Sequence, residues 1–226
     1  MEQRVSEVGV LDKAVVVLEA LATGPKALGD LVAVTGLPRA TAHRLAVALE
    51  AHGMARRDGE GRFTLGLRLA ALGRAASAAF PLAELAGPAL ERLRSATGES
   101  VQLYVRDGGV RRCVASLDSP NELRTIVPVG ADLPLDRGSA GRVLADPSSA
   151  RRRGWVESVE EREPGVASVS APVVGPDGTV LAAVSVSGPV GRTTRQPGKR
   201  YGDAVVVAAT EVGQRLAAMA VASSPS

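Results

Sequence analysis

Arg39, Ala40, Thr41, His43 and Arg44 follow directly on Leu37-Pro38. Residues of these types suit the reading of duplex DNA. An arginine fork fits guanine O6 and N7, a threonine donates to phosphate or touches a thymine methyl, and a small alanine allows close approach. That chemistry requires a helix carrying them in its first two turns, the part of a helix-turn-helix that enters the major groove. Arg56, Arg57 and Arg62 flank Asp58-Gly59-Glu60-Gly61, a tight-turn sequence, and would lie on a hairpin beside that helix. From Gly36 to Arg62 there are five arginines against three acids. The competing reading is the solvated surface of a small helical domain; the hairpin tips the balance toward DNA.

A second set consists of hydroxyls. Ser168 and Ser170, like Ser185 and Ser187, alternate with Val169, Ala171, Val184 and Val186. Strand side chains repeat every second residue, so serines line one face and apolar residues the other. The apolar face should bury. The hydroxyl face meets solvent, bonds locally, or serves a small polar ligand, and the pattern alone leaves these open.

Catalytic and metal chemistry find little to use. His43 and His52 are the only histidines and Cys113 the only cysteine, and residues 67–226 contain no histidine. An intrachain disulfide and a CxxC zinc site are therefore impossible. There is no phosphate loop or nucleophile motif, so neither a catalytic residue nor a cofactor or metal is expected. Cys113 reads as a small core residue rather than a redox sensor. His43 reads as a DNA or surface contact, and His52 as a helix-end residue near the dipole. Trp155 reads as an anchor of the core or of an interface, and Arg151-Arg152-Arg153 as a solvated turn.

The elements that must position these residues are legible in outline. Val10–Leu21 has helical periodicity, with Leu11, Val15, Leu18 and Leu21 or Ala22 on one face, and stops at Thr23-Gly24-Pro25. A short helix from Leu28 to Val34 ends at Gly36. A third runs from Pro38 to His52, with Leu45, Ala48 and Leu49 as its buried stripe and Gly53 beyond its end. Two extended runs, Met54–Arg57 and Arg62–Leu65, complete a winged helix-turn-helix over residues 1–66. An apolar linker helix covers 67–79. Residues 80–226 read as a helix over Ala83–Ala96 and strands over Glu99–Arg106, Val110–Leu117 and Leu123–Val129. A helix over Gly138–Leu144, a hairpin over Val166–Val174 and Val180–Ser187, and a last helix over Tyr201–Ala220 follow, with a fraying Ser-Ser-Pro-Ser end. The class is α+β with a mostly antiparallel sheet.

Composition narrows the setting. Hydrophobic residues make up 45% and charged residues 23%, enough for packed cores in a soluble chain, and no run approaches the ~20 apolar residues of a membrane helix. The N-terminus lacks a secretory signal, so the expected location is cytoplasmic, with no membrane partner. Aromatics at 2% argue against stacking surfaces for single strands. The net charge is +3, yet residues 1–66 hold eight basic and eight acidic residues. Placement, rather than bulk charge, carries the case for DNA.

VLDKAVVVLEAL, LVAVTGLPRATAHRLAVALEAHGMARRDGEGRFTLG and GVASVSAPVVGPDGTVLAAVSVSGP together resemble the IclR family of bacterial transcription regulators, over about Val10 to Ala218. VGVLDKA, TAHRLAVALE, TGESVQLY, RRRGW and EREPGVASVSAPV resemble an actinobacterial branch linked to control of amino-acid metabolism. The resemblance implies a winged-helix homodimer on a palindromic double-stranded operator, a tetramer being equally consistent. It also implies a linker helix and a GAF/profilin-like domain that binds a small-molecule effector. By motif match the effector-contacting positions are Gly138, Ser139, Ser158, Ser168, Ser185 and Ser187. Where relatives often carry Asp and Cys stand Ser158 and Ser168, which argues against carboxylate recognition of the glyoxylate or pyruvate kind. Relatives also have a longer connection where only Asp146–Ala150 stands before the Arg-Arg-Arg-Gly-Trp segment. Two rivals remain: a GAF-like enzyme with an N-terminal interaction module, and an architectural DNA-binding protein indifferent to metabolites.

Overall fold

The computed structural model describes residues 8–79 and 81–222. The chain divides into two compact units, Met1–Phe80 and Pro81–Ser226. The first contains α1 (Gly9–Ala22), α2 (Leu28–Thr35), α3 (Arg39–Ala51), β1 (Ala55–Arg57), β2 (Phe63–Leu65) and α4 (Leu67–Ala79). Gly36 ends α2 at φ 67°, its N–H donating to the Val32 carbonyl. That left-handed turn costs a glycine little. The Pro38 carbonyl then accepts from Thr41 and Ala42, which starts α3. β1 and β2 pair antiparallel from Ala55↔Leu65 to Arg57↔Phe63, and Lys26 adds a bridge to Phe63.

Val17, Ala20 and Leu21 of α1, Leu31 of α2, Ala42, Ala46 and Leu49 of α3, and Phe63 of β2 form the core of this unit. Two stripes lie differently from expectation. On α1 the buried side is centred on Val17 and Leu21, while Leu11 and Val15 are 57% and 44% exposed. Apolar residues run most of the way round α1, and a head of this size covers only the side facing α2 and α3. On α3, Ala42 and Ala46 take the inner positions beside Leu49 and half-buried Leu45, and Ala48 is exposed. Small alanines let α3 sit close to its neighbours.

The second unit runs α5 (Leu82–Thr97), β3 (Ser100–Asp107), β4 (Val110–Leu117), β5 (Asp132–Pro134), α6 (Ser139–Ala145), a 3-10 turn (Pro147–Ala150), β6 (Val156–Val159), β7 (Val166–Val174), β8 (Val180–Pro189), α7 (Val190–Thr193) and α8 (Pro197–Ala222). Its sheet has the order β5-β4-β3-β8-β7-β6, and every pairing is antiparallel. The fold is α+β with an antiparallel sheet. Leu82, Ala86, Leu90 and Leu93 of α5 and Val205, Ala209 and Val212 of α8 pack with Val169, Val173, Val184 and Val186 on one face. Ala140, Val143 and Leu144 of α6 pack with Tyr104, Cys113, Val156 and Ala183 on the other. Both faces are therefore covered, which is why β8 is buried without a break from Ala182 to Gly188.

Leu123–Val129 does not form the expected strand. Its alternation is real, with Thr125 and Val127 buried and Leu123, Ile126 and Val129 exposed. The ladder beside β4 belongs instead to β5, through Val110↔Pro134 to Arg112↔Asp132. Pro128 also removes a donor that a strand would need. β6 has no counterpart in the sequence reading, and α8 begins at Pro197 rather than Tyr201. The Ser223–Ser226 end, expected to fray, lies outside the described residues.

Candidate functional site

On α3 the burial of Ala42, Ala46 and Leu49 turns Ala40, His43, Arg44 and Val47 outward, and Arg39 is exposed at the start of the helix. Thr41 is half-buried at the edge of that face. No hydrogen bond or ion pair to another described residue engages Arg39, His43 or Arg44. Their polar groups are thus available to an outside partner. Val47, 40% exposed, extends the face by one turn and was not singled out from sequence. The signal for it was the helical period counted from Ala40 and His43.

The three arginines of the hairpin differ. Arg56 is exposed, with no partner among the described residues. Arg57 reaches Glu50 at 3.4 Å, donates to the Gly61 carbonyl at 3.2 Å and lies over the Phe63 ring at 4.2 Å. Arg62 pairs with Asp58 at 2.8 Å and Glu60 at 2.9 Å. Asp58 also accepts the Glu60 and Arg62 backbone N–H groups, and the Arg62 guanidinium bonded to it holds its carboxyl below the usual range. Arg57 and Arg62 thus build the hairpin, leaving Arg56 as its uncommitted cation.

In the second unit the serines face α6. The register sets Ser158, Ser168, Ser187 and Ser100 in one row across β6, β7, β8 and β3, with Ser170, Ser185 and Gln102 in the next. Ser139 at the start of α6 lies 2.7 Å from both Ser168 and Ser170. Ser170 donates to Ser185 at 2.9 Å, and Ser187 to Gln102 Oε1 at 2.9 Å. These hydroxyls bond one another and Gln102. Buried hydroxyls need such partners.

They border a cavity of about 20 Å³ lined by Tyr104, Arg111, Ser139, Arg162, Ser168 and Ser187 among others. Space of that size holds about one water. Gly138, Ser139, Ser168, Ser185 and Ser187 thus come together as the sequence grouped them, all in the lining. Ser158 is buried in the same row but is not part of the lining.

Sequence reasoning missed Arg111. It is 3% exposed, lies over the Tyr104 ring at 5.4 Å, and donates through Nη1 to the carbonyls of Pro134 and Arg137. Burial lowers the pKa of its guanidinium. The helix passes close over it: a Cβ on Gly141 would fall 2.4 Å from Nη1 and 2.6 Å from the Leu135 carbonyl. Glycine is required at that contact.

Residues 10–59 match the IclR helix-turn-helix domain, and residues 74–149 and 145–214 match the bacterial transcriptional regulator IclR C-terminal domain. The glycerol operon regulatory protein of Streptomyces griseus is 30% identical over 80% of this chain and 85% of its own length. The chain belongs to the IclR family. The Thermotoga maritima IclR crystal structure shares the fold at TM-score 0.74 and 21% identity, covering 93% of this chain and 100% of that one. An IclR homolog from Microbacterium hydrocarbonoxydans, crystallised with 4-hydroxybenzoate, aligns at TM-score 0.78 and 23% identity over 92% of this chain and 99% of its own.

Membership of the IclR family makes this a DNA-binding transcriptional regulator rather than an enzyme. The C-terminal match falls in two stretches that overlap at residues 145–149, within the Asp146–Ala150 connection. Asp146 closes that connection by accepting from the backbone N–H of Ser148. No helix among the described residues is long and apolar enough to cross a membrane.

Proposed function

We propose that this IclR-family regulator binds a palindromic operator as a homodimer and responds to a small metabolite held against the serine rows. Residues 1–66 serve as the DNA head, 67–79 as linker and 80–226 as sensor. Arg39, Ala40, Thr41, His43 and Arg44 read the major groove, and Arg56 anchors the wing on phosphate. Arg57 and Arg62 reach the duplex secondarily, since each already serves the hairpin. The observation that carries this reading is the outward face of α3, whose Arg39, His43 and Arg44 are exposed while Ala42, Ala46 and Leu49 fill the core.

Pairing of two chains is supported by uncovered apolar side chains: Val10, Leu11 and Val15 on α1, Leu67 and Leu72 on α4. A palindromic site needs two heads. The resemblance to an amino-acid-metabolism branch supports target genes of that kind.

A gel-shift titration of the full chain on its own upstream intergenic DNA, with excess random duplex, tests the reading. Retention that random duplex does not compete away supports it. Equal competition would favour an architectural protein. Ser187→Leu is expected to blunt a metabolite response without altering DNA affinity in the metabolite's absence, because it fills the cavity in the sensor.

A further inference from the structure

Among the described residues of α3, Val47 is the one large apolar side chain that stands exposed, at 40%. It belongs to no core. The cluster that fills the head takes Ala42, Ala46 and Leu49 from α3, with half-buried Leu45 packed against it, and leaves Val47 out. Nor does it serve the helix. A β-branched side chain loses rotamer freedom against the preceding turn and is a poorer helix former than the alanines at 46 and 48. Neither packing nor local propensity accounts for a valine at this place.

Its position around the helix is specific. Val47 follows Ala40 by close to two full turns, so the two lie in line down the outward face. His43 and Arg44 stand between them, one on each side of that line. The face thus has an apolar midline, small in the first turn and branched in the third, between flanks whose polar groups are unengaged. Phosphate offers an aliphatic side chain nothing to bond. The edges of the base pairs do: the major groove presents one apolar mark, the 5-methyl of thymine, among groups that are donors or acceptors. Arginine and histidine use the donors and acceptors, and an isopropyl group can use only the methyl. A valine is short, so it reaches that methyl only where the helix lies deep in the groove. Ala40 on the same line permits the approach.

We propose that Val47 is a specificity-determining residue of the DNA head, packing its methyls on the 5-methyl group of a thymine in the operator. The inference rests on the DNA-reading face above and names a base feature that this face selects. Val47 lies about 10 Å along the axis from Ala40, on the order of three base steps. Its thymine is therefore separate from the bases reached from the start of the helix. The contact is apolar and displaces no counterion, so it adds selectivity that salt does not weaken.

The test is a gel-shift titration of the full-length chain on the shortest upstream duplex that random DNA does not compete away. Each thymine is replaced in turn by deoxyuridine, which lacks only the methyl. At one thymine or more, wild-type affinity is expected to fall about fourfold, the worth of one buried methyl, and by the same factor at low and high salt. Val47→Ala is expected to keep its Tm, to bind the unmodified duplex more weakly by that factor, and to show no difference between thymine and deoxyuridine at that position. Arg44→Ala, weaker throughout, keeps the difference. A deoxyuridine penalty equal in wild type and Val47→Ala at every position assigns the methyl to another residue and overturns the proposal. No penalty at any thymine, with random duplex still failing to compete, overturns it while upholding the DNA head. Random duplex that competes as well as the upstream DNA overturns both.

Discussion

Arg192 grips Glu99 through both carboxylate oxygens, at 2.7 and 2.8 Å, joining α7 to the residue just before β3. Glu99 is 2% exposed, and a Cβ on Gly188 would fall 2.4 Å from its Oε2, so nothing bulkier fits beneath the pair. Removing one member of a buried pair costs ~3–5 kcal/mol. Here a third of the Arg192 side chain is exposed, and Glu99→Gln keeps the shape, so the expected loss is about 2 kcal/mol. The urea midpoint of the full-length chain measures it; an unchanged midpoint would mean the pair adds nothing.

Trp155 is wedged against α8 at two glycines. A Cβ would fall 2.1 Å from its ring at Gly198 and 2.3 Å from Nε1 at Gly202, while Arg153 covers the ring at 5.2 Å. Overpacking of this kind costs ~1–3 kcal/mol. Gly202→Ala should therefore lower Tm and shift the emission of this single tryptophan to the red as the indole is pushed into water. Emission at the wild-type wavelength would show that the ring had not been displaced.

Arg56 and Arg62 carry the same charge within one hairpin but should behave differently. Arg56 is uncommitted, so Arg56→Ala is expected to lower operator affinity and reduce the slope of log K against log salt by about 1. Arg62 is held by Asp58 and Glu60. Arg62→Ala is expected to leave that slope nearly unchanged and to loosen the hairpin instead. Equal slopes for the two variants would refute the distinction. Arg44→Ala, on the outward face of α3, should weaken selective binding at least tenfold with Tm preserved, since it has no internal partner.

Cys113 lies under α6 with no exposure, and burial pushes its thiol up to about 11. A thiol raised above its unfolded value of 9.0 favours the native state fully below that value. From pH 9 to about 11 the unfolded chain gives up its proton first, so stability falls as pH rises through that window. Native protein at pH 8 should resist iodoacetamide and label readily in urea. Rapid labelling of the folded chain would show that the thiol is not enclosed.

The regulator could be read from the sequence to the extent that its information is local. Gly36, Pro38 and Gly53 bound α3 because each acts through its own backbone, and α4 spans Leu67–Ala79 as expected. The alternation of Ser168, Ser170, Ser185 and Ser187 placed the hydroxyls on one face because the strand period is fixed. The inner face of α1 could not be read in the same way: with apolar residues on several sides, only packing against α2 and α3 selects Val17 and Leu21 over Leu11 and Val15.

Arg111 shows where local information ends. Arg111 and Arg112 are adjacent and chemically identical, and alternation sends them to opposite faces without saying which goes inward. Counting back along β4 from Leu117 and Ala115, which pack with the α5 side, would place Arg111 on that same face. An irregularity in the β3–β4 pairing at Leu103/Tyr104, where Leu103 faces Ala115 and Tyr104 faces Cys113, inserts one extra residue. One inserted residue exchanges the faces of everything beyond it. Arg111 therefore turns toward Tyr104 and α6, while Arg112 turns out to Asp107 and Asp132. The sequence by itself determined the helix-turn-helix, the strands β3, β4, β7 and β8 and the family, because caps, breakers and period act over a few residues. Which arginine enters the cavity was decided only when two strands, a bulge and a helix met, because inward and outward are properties of the assembled layers.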